Sequence, residues 1–154
     1  MGVFDLQEAL RDSIQTEKDA MDFYHYGATK LTDDKARETF ELLAREEAHH
    51  ARMFYQAYKG GDLPPFDDYI QGPPDTDSSW WRALKEAMLG DFDERKAMEL
   101  AIEQEDALER TLRATAALID DQEVKAIYLA NASSTHHHLL LIEEEYGAIF
   151  GRSR

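Results

Sequence analysis

Four long segments of the chain carry apolar residues at intervals of three, four and seven, the spacing of one face of an α-helix. The first three span about residues 4–30, 33–59 and 93–119. The fourth begins near residue 121 and ends at 147 or 151. Asp33 and Asp121 stand where helix N-caps are expected, and Gly60 and Gly61 stand where the second helix should end. Because no segment has the two-residue alternation of a β-strand, the sequence predicts an all-α fold.

The stretch between the second and third segments is rich in Gly, Pro and Asp. It cannot continue a helix, and it is too long for a tight turn between antiparallel neighbours. Ser78 or Ser79 can cap a short helix whose Trp80 and Trp81 pack against the bundle or a partner subunit. We therefore predict one ferritin-like four-helix bundle. It consists of a helical hairpin over 4–59, a long crossover over 60–79, a short helix over 80–89 and a second hairpin over 92–148.

An internal repeat supports the division into two hairpins. A shift of 88 residues, which brings Glu17 onto Glu105, aligns the first hairpin with the second. The matches fall at caps, apolar positions and ionisable positions, and include Asp33 with Asp121, His50 with His138, and Tyr58 with Tyr146.

Ionisable residues lie on the apolar stripes of the first two helices. Glu17 follows Leu10 by seven residues, and Glu47 follows Phe40 by seven. Glu47 and His50 form a Glu-x-x-His pair, which places a carboxylate and an imidazole on one helix face. Because a buried, unpaired carboxylate is costly, several that converge need a counter-charge, and metal ions provide it.

Two-iron sites in ferritin-like bundles combine a Glu from each of two helices with Glu-x-x-His from each of the other two. Five residues match this pattern: Glu17, Glu47, His50, Glu105 and His138. Oxygen-rich coordination with one nitrogen per metal suits iron or manganese. The sequence therefore predicts a two-metal site in the interior of the bundle, with iron as the first choice and manganese or zinc as alternatives.

The sixth position departs from the pattern, because Thr135 stands where the second Glu-x-x-His requires its glutamate. Glu109, one turn after Glu105, could replace the missing carboxylate, or it could form an exposed pair with Arg113. A water or hydroxide in the gap is a further alternative, and so is a site that binds only one metal tightly.

Other polar residues lie close to the five candidate ligands. Tyr24 follows Glu17 by two turns and is either a core residue or a donor to a ligand carboxylate. Glu46 is expected to face solvent. The remaining histidines nearby are expected to be surface residues, supports for the ligands, or members of an additional site: His49, His136 and His137.

The overall composition excludes several classes of function. A net charge of −15 disfavours nucleic acid as a partner. The absence of cysteine excludes disulfides, thiolate zinc sites and iron–sulfur clusters within this chain. The sequence has no signal-peptide pattern and no apolar stretch of about 20 residues, so we expect a cytoplasmic protein that does not enter a membrane.

Four stretches resemble the rubrerythrin branch of the ferritin-like superfamily: SIQTEKDAMDFY (13–24), LAREEAHHARMF (43–54), AMELAIEQEDALE (97–109) and HHHLLLIEEEY (136–146). The resemblance implies a bundle, usually dimeric, with a non-haem di-iron site that reacts with hydrogen peroxide or dioxygen. It also implies that the five residues named above are ligands and that Tyr24 hydrogen-bonds one of them. Full-length rubrerythrins add a cysteine-ligated rubredoxin module. This chain has no cysteines, so it resembles the bundle-only members and would need an external electron-transfer protein.

We accordingly expect an oxidoreductase of the rubrerythrin-like peroxidase type that holds two iron ions. Thr135 puts ordinary two-iron occupancy in question. The alternatives are an iron-binding protein without turnover and a partly degenerate structural bundle. A homodimer is expected, and the long crossover permits domain swapping between its subunits.

Overall fold

The computed structural model describes residues 3–151, and within that range the chain is α-helical with no strand, so the all-α bundle is confirmed. There are six helices: α1 (Leu6–Ala28), α2 (Asp34–Ala57), α3 (Phe66–Ile70), α4 (Ser79–Ala87), α5 (Glu94–Ala116) and α6 (Gln122–Phe150). None of these helices is long and apolar enough to cross a membrane.

Each of the four long helices begins at an aspartate. The side chains of Asp5, Asp33, Asp93 and Asp121 all accept a hydrogen bond from a backbone N–H in the first turn of the helix that follows. Ser78 caps α4 in the same way, through the N–H of Trp81 at 3.1 Å. Such caps stabilise a helix by about 1 kcal/mol each. The caps therefore fix where each helix begins and, with it, the register of the residues that face the core.

Contacts between helices define the topology. α2 and α6 are antiparallel, because Glu46 contacts His138 whereas His50, later in α2, contacts Ser134, earlier in α6. α1 pairs with α2, and α5 pairs with α6, as two antiparallel hairpins. It follows that α2 and α5 are parallel, which is why a long crossover is needed to join them.

The crossover contains a helix that the sequence analysis did not predict. α3 follows Pro65 and buries Phe66, whose ring lies 5.3 Å from that of Tyr55. The crossover also covers the polar side of α1, where Lys18 bonds both Asp22 (2.6 Å) and the carbonyl of Pro73 (3.2 Å). Burial by this segment raises the pKa of Asp19 to about 6.

α4 packs against α1 and α5 and contributes to an aromatic cluster. Trp80 is buried, and its ring contacts those of Phe23 and Tyr24 at centroid distances of 5.3 and 5.5 Å. Trp81 is half-buried against Tyr26. Packing of the tryptophans against the bundle is therefore confirmed, and it holds Tyr24 in place above the centre of the molecule.

Candidate metal centre

The five predicted ligands meet in the interior of the bundle. Each long helix contributes at least one of them, because each residue lies on the face that its apolar neighbours direct inward. All five are buried, and the three glutamates are 0% exposed. They form two groups that share one residue: Glu17, Glu47 and His50, and Glu47, Glu105 and His138. Within each group, one ligand atom per residue lies within 4.8 Å of the others.

Glu47 offers one carboxylate oxygen to each group. Its Oε2 lies 3.8 Å from Nδ1 of His50, and its Oε1 lies 2.8 Å from Nδ1 of His138. The two imidazole rings are stacked, with centroids 5.4 Å apart and planes inclined by 9°. A carboxylate with one oxygen toward each of two imidazoles is in the position of a bridging ligand.

Most of these atoms form no hydrogen bond. Among residues 3–151, the buried side-chain atoms without a hydrogen-bond partner include both carboxylate oxygens of Glu17 and Glu47, Oε2 of Glu105, and Nδ1 of His50 and His138. Even the 2.8 Å approach of His138 to Glu47 lacks the alignment of a hydrogen bond. Buried polar groups are almost always satisfied, and leaving one unsatisfied costs about 1–3 kcal/mol. Atoms that converge without bonding each other fit the coordination of a shared cation.

The three glutamates respond differently to burial. Burial, together with the charge of Glu47, raises the pKa of Glu17 well above its usual value and that of Glu105 to about 7. Burial alone would also raise the pKa of Glu47, but its contacts with Glu17 and both histidines lower it well below the usual range. Glu47 is therefore the carboxylate that stays ionised when no metal is bound.

The histidines keep their protons in the metal-free protein. Burial alone would lower their pKa values, but the neighbouring carboxylates raise the pKa of His50 to about 10 and that of His138 to about 11. The metal-free centre thus balances its charge with protons on the imidazoles and on Glu17. Because metal ligands must be deprotonated, metal binding has to displace these protons.

The outer nitrogen of each imidazole has its own partner. Nε2 of His50 lies 2.9 Å from the hydroxyl of Ser134, and Nε2 of His138 lies 2.8 Å from Oε1 of Glu46. When Nε2 carries the proton, Nδ1 is free to coordinate a metal, and such partners fix the orientation of the ring. Glu46 was expected to face solvent; its carboxylate is half-exposed and also reaches across to α6.

Tyr24 and Thr135 are also buried at this level of the bundle. The hydroxyl of Tyr24 donates to Oε1 of Glu105 at 2.6 Å, and burial raises its pKa, which keeps it protonated. The hydroxyl of Thr135 donates to the backbone carbonyl of Asn131 at 2.8 Å. Thr135 has no carboxylate to offer the centre, and its hydroxyl proton is committed to the helix backbone.

Glu109 does not fill the gap in this structure. Its carboxylate contacts Arg113 at 2.8 Å, which is the pair given above as the alternative to a ligand role. It also contacts Nδ1 of His136 at 2.8 Å, which was not predicted, and its side chain is largely buried. His49 and His137 are exposed. These residues lie outside the two groups.

A family model described as Rubrerythrin matches residues 8–146, which include all the candidate ligands. No curated protein and no solved structure matches the chain.

Proposed function

The chain belongs to the rubrerythrin family, and we propose that it holds two iron ions between α1, α2, α5 and α6 and reduces hydrogen peroxide or dioxygen with electrons from an external donor protein. Glu17, Glu47 and His50 would hold one ion, and Glu47, Glu105 and His138 would hold the other.

The observation that carries the proposal is the convergence of buried ligand atoms without hydrogen-bond partners on both sides of Glu47. A structural polar cluster would be expected to satisfy its own members by hydrogen bonds. Three carboxylates with two imidazoles form an oxygen-rich donor set, which favours iron or manganese over softer metals.

Iron, when bound, supplies the electron transfer to the oxidant. The protein's own residues orient the side chains that would bind it. Ser134 and Glu46 hold the imidazoles with Nδ1 directed to the centre, and Tyr24 holds Glu105 by its hydroxyl proton. All five side chains are buried, and the low effective dielectric constant of a protein interior strengthens the attraction between the carboxylates and a cation.

Iron binding without turnover is the second candidate, and Thr135 is the observation that favours it. Thr135 stands where the usual pattern has a glutamate, so one carboxylate is missing, and its hydroxyl proton is donated to a backbone carbonyl. A centre with fewer carboxylates neutralises less charge and holds its second ion less tightly.

The experiment is peroxide consumption by protein loaded with ferrous iron in the presence of a reductant. We expect catalytic consumption by the wild type and loss of both iron and activity in Glu47→Gln. Glu145→Gln is the matched control, because Glu145 is also buried but bonds Thr39 away from the centre. A wild type that binds iron but does not consume peroxide favours the second candidate, and one that binds no iron refutes both.

The external donor and the homodimer expected from the resemblance stay predictions.

A further inference from the structure

A small cavity of about 180 Å³ lies between α1 and α5. Its polar lining consists of Asp12, Ser13, Thr16, Glu17, Thr111 and Thr115, and one alanine and two leucines complete the wall. The volume is sufficient for several water molecules and hence for a partly hydrated ion.

The lining of the cavity includes both solvent-exposed residues and one candidate ligand. Asp12 and Thr111 are exposed, whereas Glu17 is 0% exposed. Neither carboxylate oxygen of Glu17 has a hydrogen-bond partner. A buried acceptor without a partner requires an explanation, and contact with a cation supplies one for Glu17 in the cavity wall.

The lining has the chemistry of a cation path. It contains carboxylate and hydroxyl oxygens and no basic side chain. The hydroxyl of Thr16 donates to the carbonyl of Asp12 at 2.9 Å, and the hydroxyl of Ser13 donates to the carbonyl of Ala9 at 2.9 Å. Because the proton of Thr16 is committed to the helix backbone, its oxygen is left as an acceptor, whereas the oxygen of Ser13 also bonds the hydroxyl of Tyr128 at 2.7 Å. Together with the carboxylates of Asp12 and Glu17, such acceptors attract a cation and repel an anion.

We propose that this cavity is the route by which divalent metal ions reach the centre, with Asp12 as the first oxygen ligand at the surface and Glu17 as the last. The inference rests on the proposed function, since it requires that the centre binds metal. It adds a path and a direction of loading: the group of Glu17, Glu47 and His50 receives ions before the group of Glu105 and His138.

Two variants test the route by stopped-flow absorbance of Co²⁺ uptake into the metal-free protein. Asp12→Asn removes the charge at the rim, and we expect uptake to slow by about tenfold at low salt, with a weaker salt dependence than in the wild type. Thr111→Phe narrows the passage and should also slow uptake. In both variants the Co²⁺ bound in the centre at equilibrium should equal that of the wild type, because neither Asp12 nor Thr111 belongs to the two groups of the centre.

Asp120→Asn and Ala114→Phe are the matched controls, since both positions are exposed and neither lines the cavity. They should load at the wild-type rate. Wild-type uptake rates in both Asp12→Asn and Thr111→Phe would overturn the route while leaving the metal centre intact. A wild type that takes up no Co²⁺ would overturn the proposed centre itself. If circular dichroism shows that Thr111→Phe does not fold, the exposed and nearly isosteric Asp12→Asn variant decides the question.

Discussion

Replacing Tyr24 by Phe should destabilise the metal-free protein by an amount that depends on pH. The change removes the hydroxyl that donates to Glu105 at 2.6 Å and leaves a fully buried carboxylate oxygen without a partner. A hydrogen bond to a charged group contributes about 1.5–3 kcal/mol, whereas one between neutral groups contributes about 1 kcal/mol. Burial and the charge of Glu47 raise the pKa of Glu105 to about 7, so its charge changes near neutral pH.

The sign follows from which form of Glu105 the tyrosine stabilises. The donated proton favours the ionised carboxylate, so its removal raises the pKa of Glu105 further and costs most where that group is ionised. We expect Tyr24→Phe to lower the free energy of unfolding by about 1 kcal/mol at pH 6 and by about 2 kcal/mol at pH 8, because linkage adds about 1.4 kcal/mol per pH unit above the pKa.

Urea unfolding of the metal-free protein at both pH values, followed by circular dichroism, measures this difference. Tyr128→Phe is the control, because Tyr128 is equally buried but its hydroxyl bonds the neutral Ser13 at 2.7 Å. Its pKa is raised to about 12, so its contribution should be the same at pH 6 and pH 8. An effect of Tyr24→Phe that is constant with pH, or smaller at pH 8, would refute the reasoning.

Three further predictions concern the histidines and their surroundings. Because the pKa values of His50 and His138 are raised to about 10 and 11, their stabilisation is complete below about pH 6.5 and is lost as the pH rises through those values. The metal-free protein should therefore melt at a lower temperature at pH 9 than at pH 6, while Co²⁺ affinity rises over the same interval. A melting temperature that increases would contradict this. Glu46→Ala removes the partner of His138 Nε2 and should weaken Co²⁺ binding by about tenfold in a chelator competition, whereas the exposed Glu38→Ala should not. Thr135→Glu restores the missing carboxylate and should raise the bound metal toward a full two ions per chain; an unchanged or smaller metal content would count against the assigned position.

The fold could be predicted from local signals. Aspartate and serine caps indicated where helices begin, and the Gly- and Pro-rich stretch indicated the crossover. α3 was missed because it is only five residues long, starts after a proline and has no side-chain cap. The burial of Lys18 and Asp22 could not be predicted from the sequence. Both residues are polar, and they are covered because the crossover folds back over α1.

The convergence of the candidate ligands could be predicted from the sequence. The apolar stripe of each helix shows which of its residues face inward, and the 88-residue repeat pairs those of the two hairpins. The contact of Glu46 with His138 could not be predicted, since it depends on the distance and rotation of α6 relative to α2. The same holds for Ser134 with His50. Periodicity within one helix indicates which face is buried, but it leaves residues at the edge of that face undecided.

The most direct test of the two-ion centre is a crystal structure of iron-loaded protein with an anomalous-difference map recorded at the iron edge. The account predicts two peaks, one on each side of Glu47, with Nδ1 of His50 beside the first and Nδ1 of His138 beside the second. Iron-loaded crystals with a single peak, or with none at either position, would contradict the two-ion centre.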